Sequence, residues 1–212
     1  KYSYNHQNWY PSAEFETKNA RENIGLFELT PFSKYDLEGK TVYEELQKIC
    51  TANIKKEVGK CTYTQMLNKV GGIETDLTVV KIAENNFRII TAAANKERDK
   101  FHIQKHLSED IKLLDVTDDY CVLGVFGPKS IDLMKDLSDD DYSNKNFKFG
   151  TAKYVTVNQE QIWAQRLSYV GELGFELYIK SNNAKEIYNL IIEKGKKYQL
   201  SHCGMHAMDI MR

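Results

Sequence analysis

Gly71-Gly72-Ile73-Glu74-Thr75-Asp76-Leu77-Thr78-Val79 breaks the first half of the chain most sharply. Two adjacent glycines let a backbone turn tightly or approach a ligand closely. Behind them Asp76 stands at the mouth of an apolar, β-branched run, Leu77 to Val80. By pattern alone this is either a turn acid capping a strand start or a carboxylate fixed at the floor of a cleft. The run continues as a hairpin. Leu77 to Ala83 and Phe87 to Ala92 have strand composition, and Glu84, Asn85 and Asn86 supply the turn. Upstream, Cys61 to Leu67 reads as a further strand ending at Asn68.

Outward from this hairpin, strands recur in pairs. Residues 26–29 and 32–37 are predicted strands, the second closed by Gly39, and Thr30-Pro31 interrupts between them because proline removes a ladder donor. Residues 110–116 and 120–126 flank a polar turn, and residues 151–157 and 161–168 flank Asn158-Gln159-Glu160. Residues 175–179 form one more strand. Helices are predicted over 13–24, with Gly25 as its C-terminal cap, and after Gly127-Pro128, with Ile131, Met134 and Leu137 on one face. Val42, Leu46 and Ile49 mark a short helix. Residues 93–107 mark another, with Phe101, Ile103 and Leu107 expected inside, and residues 184–197 a last one. Hairpins with interspersed helices, and no regular βαβ repeat, predict an α+β fold with antiparallel sheets.

The glycine pair precedes a strand, whereas dinucleotide and P-loop glycines follow one and open a helix. No serine-centred nucleophile elbow occurs. The 212 residues are 42% hydrophobic and 28% charged, and 29 basic against 30 acidic residues leave no stripe that points to nucleic acid. No apolar run is long enough to span a membrane, and residues 1–8 do not read as a signal peptide. Cys50, Cys61, Cys121 and Cys203 are widely spaced, so free thiols in a reducing compartment are expected. His202, Cys203 and His206 cluster without a fourth ligand, and no metal is expected. The chain begins without methionine and stops at Arg212 inside what reads as a continuing element, as part of a longer protein would.

A second informative stretch is Ser168-Tyr169-Val170-Gly171-Glu172-Leu173-Gly174-Phe175-Glu176-Leu177-Tyr178. Glu172, between glycines, reads as a hairpin-turn acid or as a clamp for a flat ligand. A carboxylate accepts two parallel hydrogen bonds from a ring with adjacent N–H and amino donors, as a pterin offers. Glu176 lies inside the strand on the same side as Tyr178.

Taken together, residues 20–35, 63–79, Gly127-Pro128, 168–178 and 204–212 resemble, in order, the folate-binding aminomethyltransferases. That family comprises the glycine cleavage T-protein and the C-terminal part of dimethylglycine and sarcosine dehydrogenases. Asn8-Trp9-Tyr10 and Thr75-Asp76, where stand-alone T-proteins more often have two acids, resemble the dehydrogenase branch. The resemblance implies a discontinuous folate-binding α+β subdomain over 1–51 and 110–212, with a ferredoxin-like subdomain inserted over 52–109. The family's C-terminal β-barrel would follow Arg212.

It further implies Asp76 as the catalytic carboxylate, Glu172 as the pterin holder, and Tyr63, Tyr169 and Arg212 in the folate pocket, with Glu176 as a second-rank candidate. The implied activity is tetrahydrofolate-dependent transfer of a one-carbon unit from a small amine donor. FAD would be needed only by an upstream oxidoreductase domain. Alternatives are a stand-alone T-protein served by a lipoyl carrier protein, a folate-dependent demethylase of another donor, and a non-catalytic folate-binding or scaffold domain. A cytoplasmic location, or the mitochondrial matrix in a eukaryote, is expected, with neither nucleic acid nor membrane as partner.

Overall fold

The computed structural model describes residues 6–212. Lys1 to Asn5, which carry most of the reading of the opening as no signal peptide, lie outside the described residues. The elements run α1 (Tyr10–Glu22), β1 (Ile24–Glu28), β2 (Ser33–Glu38), α2 (Val42–Gln47), β3 (Cys61–Leu67), β4 (Ile73–Ala83), β5 (Asn86–Thr91), α3 (Lys96–Gln104) and β6 (Lys112–Asp115). They continue β7 (Tyr120–Phe126), α4 (Ser130–Leu137), β8 (Thr151–Val157), β9 (Glu160–Arg166), β10 (Gly174–Lys180), α5 (Ala184–Gly195), β11 (Leu200–Cys203) and α6 (Met205–Met211). The fold is α+β, with two sheets that each carry packed helices.

The chain divides into two compact units. The first holds the described residues up to Leu29 together with Cys121–Phe149 and Lys153–Arg212. Its sheet has the order β11-β1-β7-β10-β9-β8. Val125, Phe175 and Leu177 of the strands pack with Leu133 and Met134 of α4 and with Ile187 and Ile191 of α5. The apolar positions of both helices recur three or four apart, which is why each buries one stripe. Asn158 (φ 51°) and Gln159 (φ 66°) make the two-residue turn between β8 and β9, the backbone that matches the twist of paired strands. The sheet is not wholly antiparallel, because β1 pairs with β11 in parallel through Leu26 and His202.

The second unit is Thr30–Tyr120 with Gly150–Ala152. Its antiparallel sheet runs β3-β4-β5-β2-β6. Leu77, Val79 and Ile89 of the strands pack against Val42 and Leu46 of α2 and Ile103 of α3. These limits differ from the insertion expected over 52–109, because β2 and β6 lie outside that range and hydrogen-bond into the same sheet.

Three local expectations need correction. The first helix begins at Tyr10 with Pro11 in its first turn and ends at Glu22, a position proline suits because no N–H is needed there. Gly25 is therefore a residue of β1, not a helix cap. It is small because a Cβ there would lie 2.6 Å from the Phe27 ring and 2.8 Å from the Cys203 sulfur. Phe101 of α3 is 66% exposed, whereas Asp99, His102 and Ile103 are buried. The helix turns a polar face inward that hydrophobicity alone does not anticipate.

Candidate functional site

In the second unit the site is built on β4. The glycine turn is held by Asn68, whose side-chain oxygen accepts from the Gly72 N–H at 2.9 Å and the Val70 N–H at 3.1 Å. Gly71 sits at φ 82°, a conformation that favours glycine. Pairing with β3 then begins at Ile73, across a register shift at Met66/Leu67. Asp76 is thus the fourth residue of the strand rather than a residue at its mouth.

Strand alternation sorts the side chains. Thr64, Met66, Thr75 and Leu77 face inward and are buried, while Tyr63 and Asp76 are exposed on the opposite face. In register Tyr63 stands opposite Thr78 and Gln65 opposite Asp76, so Tyr63 and Asp76 are diagonal neighbours within aromatic reach. The Tyr63 hydroxyl donates to Asp76 Oδ2 at 2.8 Å. The structure brings these two predicted residues together as a solvent-facing carboxylate fixed by a phenol.

A cleft of about 240 Å³ in the same unit is lined by Asn68, Lys69, Val70, His102, Lys105 and His106. It contains none of the predicted site residues. The predicted site rests on the carboxylate chemistry of Asp76 and not on this cleft.

In the first unit, Glu172 lies in the bend before β10, next to Gly171 at φ 76°. Its Oε1 accepts a hydrogen bond from Arg21 Nη1 of α1. Tyr169, half-buried, has the Arg212 guanidinium 5.2 Å from its ring centroid, a cation–π arrangement. Glu176 is separate in character. It stands opposite Gln165 in the β9–β10 register and accepts from the Tyr178 hydroxyl at 3.2 Å. Although the residue retains some surface, its carboxyl group is surrounded by protein, and burial pushes its pKa up to about 7. Arg21 was missed from the sequence. It lies inside the matching stretch 20–35, but nothing local indicates which carboxylate it meets.

The histidine and cysteine cluster near the end disperses. His202 Nε2 is 2.7 Å from the Tyr188 hydroxyl, the Cys203 sulfur faces Glu16 O at 3.6 Å, and His206 stacks on Trp9 at 4.0 Å. Burial pushes the Cys50 and Cys203 thiols up to about 12, which leaves both poor nucleophiles.

The second unit thus carries a surface carboxylate held by a phenol, and the first unit an arginine-paired turn carboxylate within an α+β fold. The chain belongs to the GCVT N-terminal domain family, which it matches over residues 1–212; these folate-binding aminomethyltransferases are related to the dimethylglycine dehydrogenases. It is 32% identical over 212 residues to 4-methylaminobutanoate oxidase (formaldehyde-forming) of Paenarthrobacter nicotinovorans, covering all of this chain and 26% of that protein. It is 29% identical over 213 residues to mitochondrial dimethylglycine dehydrogenase of Rattus norvegicus, covering 99% of this chain and 25% of that one. The fold is similar to the solved glycine cleavage system aminomethyltransferase T from Bartonella henselae, with a TM-score of 0.82 at 21% identity over 94% of this chain and 53% of that one. The chain spans about a quarter of the length of the two curated relatives and about half that of the solved structure.

Proposed function

We propose that the protein carries tetrahydrofolate-dependent one-carbon transfer, yielding 5,10-methylenetetrahydrofolate from an amine-derived iminium or aminomethyl donor, as the folate half of a dimethylglycine or sarcosine dehydrogenase-like enzyme. The observation that carries this reading is Asp76, an exposed strand carboxylate whose orientation is fixed by the Tyr63 hydroxyl. Bound tetrahydrofolate supplies the nucleophilic amine nitrogen. As this nitrogen bonds to the donor carbon, Asp76 would take up the proton it loses and return it to the donor's amine nitrogen, whose bond to that carbon breaks as the second folate nitrogen closes the methylene bridge. Before that, the ionised carboxylate stabilises the cationic donor. Tyr63 keeps one carboxylate oxygen directed, so the other is oriented before the ligand arrives.

The residues of the first unit fit a pterin by their donor and acceptor chemistry. Glu172, which accepts one hydrogen bond from Arg21 Nη1, would accept the adjacent ring donors of a pterin with the same carboxylate. Tyr169 offers an aromatic face, and Arg212 beside it offers charge. Glu176, inside the sheet and held by Tyr178, supports β10 and is not assigned to the ligand. In a stand-alone T-protein the same residues would serve an aminomethyl group delivered by a lipoyl carrier. Thr75, which takes the place of a second acid, favours the dehydrogenase branch and a donor of the N-methyl amine class. FAD enters this proposal only through a separate oxidoreductase domain. Asp76→Asn keeps the shape and removes the charge. The transfer rate is expected to fall at least tenfold with folate affinity within about threefold; a variant with the parent rate sinks the assignment.

A further inference from the structure

The first turns of α3 hold β4 from the side opposite to the Asp76 carboxylate. Arg98 Nη2 donates to the Glu74 carbonyl. Asp99 is 1% exposed, and its Oδ2 accepts from the Thr75 hydroxyl at 3.0 Å. That hydroxyl also lies 3.2 Å from the carbonyl oxygen of Asp76. Asp99 Oδ1 makes no hydrogen bond and is 3.5 Å from the Arg98 guanidinium.

Burying a carboxylate beside a sheet is unfavourable unless it is paired, and an apolar side chain would fill the same space at less cost. This one meets the backbone segment that carries Asp76. Strand geometry explains the consequence. Thr75 points inward and Asp76 outward, so a hydrogen bond that fixes Thr75 fixes the twist of the segment and the direction in which Asp76 leaves it. Tyr63 alone would hold the carboxylate from outside on a segment that pairs with β3 but lies ahead of the β4–β5 ladder, which begins at Leu77. With Asp99 and Arg98 behind, residues 74–76 are held on both faces.

We propose that Asp99, acting through Thr75 and assisted by Arg98, is a positioning residue for Asp76. This rests on the reading of Asp76 as the catalytic carboxylate. A reacting group displaced by an ångström loses up to about a hundredfold in rate, whereas folate binding need not depend on the Thr75 hydroxyl.

The test uses Thr75→Val, Thr75→Ser, Asp99→Asn and Asp76→Asn in the full chain, with kcat, KM for tetrahydrofolate, folate-binding stoichiometry and thermal midpoint measured for each. Thr75→Val, which keeps the shape and loses the donor, is expected to lower kcat about tenfold with KM within about twofold. Thr75→Ser is expected to restore kcat to within about twofold of the parent, and Asp99→Asn, which can still accept from Thr75, to fall between. Equal kcat in Thr75→Val and Thr75→Ser overturns the proposal. So does a loss in Thr75→Val that vanishes when kcat is divided by the folate-binding fraction, since that is the mark of unfolding alone. If Asp76→Asn keeps the parent kcat, the catalytic reading falls and the positioning role with it. If Asp76→Asn loses activity while Thr75→Val does not, only the positioning role falls.

Discussion

Replacing Arg88 by methionine tests how the sheet that contains the candidate catalytic strand is held. Arg88 on β5 faces Asp36 on β2 in register, and its Nε and Nη2 donate to the two carboxylate oxygens at 2.7 Å each. Its guanidinium also lies 4.5 Å from the Tyr120 ring centroid. Burial works against the charge on Arg88, but the Asp36 pairing outweighs it and holds the pKa above its ordinary value. The Arg88 side chain is 5% exposed and that of Asp36 22%.

These exposures make the two single changes unequal. Asp36→Leu strands a nearly dry guanidinium and should cost about 3–5 kcal/mol. Arg88→Met strands a carboxylate that keeps part of its hydration, so roughly 2–4 kcal/mol is expected. Asp36→Leu with Arg88→Met removes both charges and leaves mainly the loss of the Tyr120 contact, on the order of 1 kcal/mol. The coupling should therefore reach several kcal/mol. Hydrogen exchange at the β5 amides measures it, because those amides report this sheet by itself. Single changes that add to within about 0.5 kcal/mol in the double variant would refute the reasoning.

Gly25→Ala must place a methyl group 2.6 Å from the Phe27 ring and 2.8 Å from both Ala20 Cβ and the Cys203 sulfur. A loss of about 1–3 kcal/mol in urea unfolding is expected, and an unchanged midpoint would show that β1 and α1 relax freely. Glu176 ties stability to pH. Its pKa rises from 4.5 unfolded to about 7 folded, so the folded state binds the extra proton between those values. That contribution is complete below pH 4.5 and is lost as pH rises through about 7. Glu176→Gln should flatten stability over this window, and an unaltered slope would place the titration elsewhere.

Much of the second unit was legible because its physics is local. The β4–β5 hairpin joins two runs of strand composition around a short polar turn and overlaps the expected strands, with β4 starting earlier at Ile73 and Asn86 belonging to β5 rather than to the turn. In the first unit, Asn158 and Gln159 announced their turn in the same way. The failures are equally physical. Gly25 looks like a helix cap until tertiary contact shows three neighbours where a Cβ would go. Phe101 was expected inside on hydrophobicity, yet the inward face of α3 is chosen by Asp99 meeting Thr75 across 24 residues of sequence. The parallel pairing of β1 with β11, like the ion pair of Arg21 with Glu172, joins segments too far apart for any local pattern to encode. Asp76 and Glu172 stood out by residue type and glycine context, and Tyr63 by the resemblance; Arg21 and Asp99, which meet Glu172 and Thr75 from distant segments, did not.

Titration calorimetry of the chain with tetrahydrofolate tests the central claim most directly. The account predicts saturable binding, retained in Asp76→Asn and weakened about five- to 150-fold in Glu172→Ala, the range for removal of a charged hydrogen-bonding partner worth roughly 1–3 kcal/mol. No heat of binding in the parent, or identical affinity in parent and Glu172→Ala, would contradict it.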